Sequence, residues 1–136
     1  MAITIQKKYH FYAAHRNKAG GEKCGRIHGH TYNVVCYFSF SRINKGGVTC
    51  LFSDIDKQVE PIIKAHCHWL LLYDKDPLCD TLDTIGEPYL KLPFETSAEN
   101  MAMYLLQKIK RETGLPIEKI ELAETLTSNV IYEIEY

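Results

Sequence analysis

The sequence predicts an α+β fold, in which a small antiparallel sheet carries its helices on one face. Three observations point there. Two strand-like alternations open the chain, two helical repeats fill its middle, and two further alternations close it. Hairpins at both ends with helices between them give a ββααββ layer of four strands and two helices. The 136 residues fit one domain, 1–136, and suffice to bury a core. A 46% hydrophobic share is ordinary for a globular chain, so disorder is not the default.

The first strand is Ile3 to His15, where Ile3, Ile5, Tyr9, Phe11 and Ala13 share a parity with His15. Arg16 to Arg26 carries Gly20-Gly21 and the cations Arg16, Lys18, Lys23 and Arg26, which predicts an exposed loop. Those cations are either solvated or receive an anionic substrate. The second strand starts at His28, with His30, Tyr32, Val34, Cys36, Phe38 and Phe40 on one face. Asn44 to Gly47 reads as a turn, and Val48 to Phe52 as a returning strand. Ser53 or Asp54 is suited to cap a helix with Ile55, Val59, Ile62, Ile63 and His66 at helical spacing, ending near His66-Cys67-His68. Trp69 to Leu72 is a short apolar run. Residues 74–95 contain three prolines and Gly86 and read mostly as loop, with a short strand at Tyr89 to Leu92. Thr96 or Ser97 caps the second helix, whose stripe is Met101, Leu105, Leu106 and Ile109 and whose stop is Gly114-Leu115-Pro116. Lys119 to Leu126 and Val130 to Tyr136 are the last two strands. Glu124 shares the apolar parity of Ile120, Leu122 and Leu126, so its charge needs a partner there.

The chemistry concentrates in Cys24-Gly-Arg-Ile-His28-Gly-His30. On a strand, His28 and His30 point to one face and can share a metal ion. With His15 they form a three-imidazole set, the pattern of a catalytic zinc with an open fourth position. A lone histidine is more often a packed or solvated residue; the His-Gly-His pair beside a thiol is a sharper signal. A net charge of −1 leaves no basic footprint for nucleic acid. No apolar run is long enough to span a bilayer, and Met1 to Gln6 lacks the basic start and apolar core of a signal peptide. Five cysteines, an odd number without a C-x-x-C pair, argue against a disulfide framework and for a reduced, cytoplasmic setting.

Phe11-Tyr-Ala-Ala-His15, Cys24-x-x-x-His28-Gly-His30, Asp54, His68 followed by Leu71, Ser97 to Asn100, and Glu124-Thr125 together resemble the 6-pyruvoyl- and 6-carboxy-tetrahydropterin synthase family over nearly the whole length. The resemblance implies the tunnelling fold, with subunits forming trimeric barrels that stack into a homohexamer and build their sites where neighbours meet. It implies that His15, His28 and His30 hold Zn2+ and that Glu124 anchors the pterin edge, with Ser97 and Thr96 alongside. It further implies that Cys24 is the general base and that His68 takes part in a proton relay, on 7,8-dihydroneopterin triphosphate. The three residues between Cys24 and His28 resemble the 6-carboxy branch, which serves the queuosine and 7-deazaguanine route. The alternatives are the 6-pyruvoyl product or another pterin chemistry, and a non-catalytic zinc or pterin binder with Cys24 as fourth ligand. One position departs from the family: Cys67 stands where an Asp usually precedes the relay His, unless the register slips to put His66 there and Cys67 in the relay position.

Overall fold

The computed structural model describes residues 2–135. Its longest elements are β1 (Ile3–His15) and β2 (His28–Phe40), both bounded as the alternation predicts. They pair antiparallel without a break, from Ile3 opposite Phe40 to His15 opposite His28. Phe11, Tyr32, Val34, Cys36 and Phe38 are buried on one face, while Tyr12 and Thr31 are exposed on the other.

After β2 come α1 (Phe52–Lys64), β3 (Leu70–Tyr73), α2 (Leu78–Ile85), β4 (Leu90–Leu92), α3 (Ala98–Thr113), β5 (Ile117–Ala123) and β6 (Asn129–Glu133). Among the described residues the sheet has six strands in the order β4-β3-β1-β2-β5-β6, not four. The two strands beyond that outline are short: β3 pairs in parallel with β1, and β4, at the short strand expected for Tyr89 to Leu92, pairs in parallel with β3. Val48 to Phe52 is not a strand. Asn44 forms the expected turn, its Oδ1 accepting from the amides of Gly46 and Val48 at 2.8 and 3.1 Å. Beyond it β2 has no free edge, because β1 and β5 occupy both sides, and the chain enters α1 at Phe52.

Helices α1 and α3 cover the buried face through Ile55, Val59 and Ile63 and through Met101, Leu105, Leu106 and Ile109. The α1 N-cap is Leu51, so Ser53 and Asp54 lie inside the first turn and neither caps it. Ser97 does cap α3, its hydroxyl accepting from the Asn100 amide at 3.2 Å, and Gly114 ends the helix at φ 69°. The segment read as loop contains α2 as a third helix. Asp76 Oδ1 accepts from the Leu78 amide at 2.9 Å to start it, Cys79 and Leu82 face inward, and Gly86 at φ 75° stops it. β5 ends at Ala123, so the shared parity stops before Leu126, which is fully exposed. The last strand closes at Glu133, and the Tyr136 end assigned to it lies outside the described residues.

Candidate active site

The β1–β2 register brings the end of one strand to the start of the next, so His15 faces His28 directly. His30 follows two residues on, on the same face. The three rings converge, with centroids 4.6 Å apart for His15 and His28, 5.2 Å for His15 and His30, and 4.8 Å for His28 and His30. Glu124, just past β5, completes a four-residue set whose ligand-type atoms all lie within 4.8 Å of one another. Its Oε2 is 2.7 Å from His30 Nε2 and 3.4 Å from His15 Nε2.

The outward nitrogens show how these rings are set. His15 Nδ1 donates to the Thr96 carbonyl at 2.8 Å and lies 3.1 Å from the Thr96 hydroxyl. His28 Nδ1 donates to the Arg26 carbonyl at 2.6 Å. A proton on Nδ1 leaves the Nε2 lone pair free, the tautomer a metal ligand needs. The Nε2 atoms of His15 and His30 are buried and have no aligned hydrogen bond, although the carboxylate is close. Such orphaned nitrogens around one point fit a divalent ion with an imidazole preference.

Electrostatics agree with the grouping. Burial pushes His30 below its ordinary value, Glu124 opposes that shift, and the neighbouring imidazoles add to it. The contact with His15 holds the Glu124 carboxyl below the usual range, against the effect of burial. The partner that the sequence required for Glu124 is therefore the histidine cluster.

A cavity of about 380 Å³ opens on this cluster, and its lining includes Cys24, His28, His30, Glu124, Thr125 and Asn129. Cys24 belongs to the β1–β2 loop, which folds on itself. The Asn17 amide donates to the Cys24 carbonyl at 2.7 Å, and the Gly25 amide to the Gly21 carbonyl at 2.9 Å. Two of the loop's cations are paired. Arg16 forks onto Asp76, with its Nε 2.8 Å from Oδ2, and Arg26 meets Glu22 at 3.0 Å. Lys18 and Lys23 remain exposed.

Three of the expected site residues stand apart from this cavity. Thr96 is completely buried behind His15, its hydroxyl donating to the Arg16 carbonyl at 3.2 Å. It orients a ring rather than facing an open space. Ser97 is engaged as the α3 cap. His68 lines a different cavity, on the opposite face of the sheet with Tyr12 and Thr31. The register alternative for His66 loses its ground as well: this ring is buried, held by the Ile62 carbonyl at 3.0 Å and the Tyr104 hydroxyl at 2.9 Å. Thr125, quoted in the sequence only as part of Glu124-Thr125, and Asn129, given no role there, line the cavity from the β5–β6 turn and from the first residue of β6. The Glu124-Thr125 pair beside a turn was the available signal.

The 6-pyruvoyl tetrahydropterin synthase family model matches residues 4–135. The chain is 28% identical over 139 residues to the 6-carboxy-5,6,7,8-tetrahydropterin synthase of Haemophilus influenzae, spanning 96% of this chain and 99% of that protein. It is 29% identical over 133 residues to the protein of the same name from Synechocystis, spanning 94% and 91%. Among solved structures, an uncharacterized protein of Wolinella succinogenes superposes with a TM-score of 0.81 at 17% identity, covering 99% of both chains. The 6-pyruvoyl tetrahydropterin synthase of Caenorhabditis elegans superposes with a TM-score of 0.76 at 21% identity, covering 99% of this chain and 97% of that one. The fold is thus the α+β tunnelling fold, with two strands and one helix beyond the outline read from the sequence.

Proposed function

The chain belongs to the 6-pyruvoyl tetrahydropterin synthase family, and from that premise we propose that it is a zinc-dependent 6-carboxy-5,6,7,8-tetrahydropterin synthase. Its substrate in this reading is 7,8-dihydroneopterin triphosphate, and its route is that of queuosine and the 7-deazaguanines. It acts as a single domain, as a cytoplasmic homo-oligomer built as a dimer of trimers. The observation that carries the reading is the convergence of three imidazoles and Glu124 on a cavity whose wall includes a free thiol.

His15, His28 and His30 would hold the zinc, with the Thr96 and Arg26 carbonyls fixing two of the rings. Bound there, zinc supplies Lewis-acid polarisation of the substrate's side-chain oxygens, which acidifies the adjacent C–H. Cys24, as thiolate, takes that proton; a thiol must be deprotonated to do so. Glu124 accepts from the amino and ring N–H donors of the pterin, a two-bond contact that orients it. Ser97 and Thr96 support that end of the site through the α3 cap and His15. His68 returns the proton from a neighbouring subunit, since it lies across the sheet from Cys24 within one chain. Lys18 and Lys23 are the loop cations left to meet the triphosphate.

A non-catalytic Cys-His₃ zinc site is less well supported, because the fourth donor grouped with the imidazoles is Glu124 and not Cys24. The Cys24→Ala variant separates the two readings. Assayed for metal content and for acetaldehyde released from dihydroneopterin triphosphate, it is expected to keep its zinc and lose turnover by about a hundredfold or more. Loss of the metal would transfer Cys24 to the ligand set. A wild-type protein that is zinc-loaded and assembled yet inert on this substrate would overturn the enzyme assignment.

A further inference from the structure

Resting on the reading of His15 as a metal ligand, we propose that Asp76 is a positioning residue for that ligand and acts on it through Arg16. His15 occupies the last rung of both ladders that β1 makes. It pairs with His28 on one side and Leu71 on the other, and neither register runs further. A residue at such an end frays unless the chain beyond it is held by something else. Arg16 supplies the hold. Its guanidinium forks onto Asp76, with Nε donating to Oδ2 at 2.8 Å and Nη2 to Oδ1. The two side chains are only 16% and 9% exposed, so the pair is shielded from the solvent that weakens surface ion pairs. A two-point fork also fixes direction as well as distance.

Both ends of the fork are tied down. On the Asp76 side, Oδ1 also accepts from the Leu78 amide at the start of α2. The Asp76 amide donates to the Tyr73 carbonyl at 2.9 Å, and its carbonyl accepts from the Cys79 amide at 3.0 Å. On the Arg16 side, the carbonyl accepts from the buried Thr96 hydroxyl at 3.2 Å, and the Thr96 carbonyl accepts from His15 Nδ1 at 2.8 Å. The contacts are therefore continuous. Asp76 holds the Arg16 side chain, the Arg16 backbone meets Thr96, and Thr96 holds the ring whose Nε2 faces the cluster. The next residue extends the anchor, since the Asn17 amide donates to the Cys24 carbonyl at 2.7 Å and so joins the root of the loop to its thiol-bearing residue. Loss of an outer partner of a metal-bound imidazole lowers metal affinity by about 10–100-fold.

Ring ¹H–¹⁵N spectra of the full-length protein test the role, because a buried Nδ1–H bonded to a carbonyl exchanges with solvent only when its surroundings open. The His15 signal is the one missing from H15N. D76N keeps the size of the side chain and an oxygen for the Leu78 amide, and removes the charge that holds the guanidinium. In D76N the His15 Nδ1 proton should exchange about tenfold faster, while the His66 Nδ1 proton, bonded to the Ile62 carbonyl, keeps its wild-type rate. Zinc affinity, measured against a competing chelator, should fall about tenfold in the same variant. R16K keeps the charge and loses the fork, so it should behave as D76N does, and it decides the matter if D76N fails to fold. Equal acceleration of both protons would show a general loosening and overturn the positioning role. Unchanged exchange at His15, or wild-type zinc affinity in a folded variant, would overturn it too. A wild-type protein that takes up no zinc would overturn the ligand reading instead, and the exchange comparison would still decide whether Asp76 holds the His15 ring.

Discussion

His15 and His66 are both buried imidazoles, 3% and 2% exposed, and their free nitrogens separate their roles. His66 has both nitrogens engaged, Nδ1 donating to the Ile62 carbonyl and Nε2 accepting from Tyr104. His15 has only Nδ1 engaged, and its Nε2 points at the metal-type cluster. Sequence spacing flagged His15 and left His66 with two readings, because a backbone carbonyl partner leaves no trace in residue identity. Thr96 sits behind His15 because of how α3 docks, and its carbonyl contact to that ring leaves no trace in residue identity either. His66 also carries a pH signature. Burial, opposed by its carbonyl bonds, holds its value below the ordinary 6.5. Between that lowered value and 6.5 the unfolded chain binds a proton that the folded chain refuses, so stability falls as the pH drops below about 6.5. The loss levels off once the folded form protonates too. Thermal melts between pH 7.5 and about 5 should show this component in the wild type and lack it in H66F/Y104F. The second change matters, because H66F alone strands the Tyr104 hydroxyl at a cost of about 1–3 kcal/mol.

At the scale of elements, the long strands were legible because both faces of their alternation have an unambiguous environment. α2 was not, because prolines and Gly86 mask an eight-residue helix that buries only Cys79 and Leu82. Its start at Asp76-Pro77 and its stop at Gly86 were readable signals, outweighed by the prolines around them. The false strand at Val48 to Phe52 had acceptable composition and no open neighbour to pair with, which no local pattern reveals. The β1–β2 loop makes a sharper point about packing. A Cβ added at Gly20 would lie 2.9 Å from Cys24 Cβ and 3.3 Å from its Sγ, too close for either to stay. Gly20→Ala should therefore displace the thiol and lower kcat about tenfold or more while zinc content, measured by atomic absorption, stays at the wild-type level.

Across the whole molecule, His68 packs against Tyr12 on the face of the sheet away from the imidazole cluster, and Cys24 and His68 line different cavities. If neighbouring copies complete each site, mixed oligomers of Cys24→Ala and His68→Ala regain activity that neither variant shows alone. An activity assay after co-refolding checks this, and no recovery would place relay and base in independent roles. The sequence reached this scale only through family resemblance, since composition is silent on which faces meet. The strand directions add a consequence of their own. β4 and β6 are the two rims of the sheet, and they are unlike: β4 runs with β1, β6 against it. A copy that docks its β6 on the β4 of an equally oriented neighbour forms an antiparallel joint, and the joint has a direction, like a link with a hook and an eye. Every linear chain of such links, however long, ends with one unpaired hook and one unpaired eye. Only a closed ring has none, so closure removes the aggregation-prone rims that any open string would keep exposed.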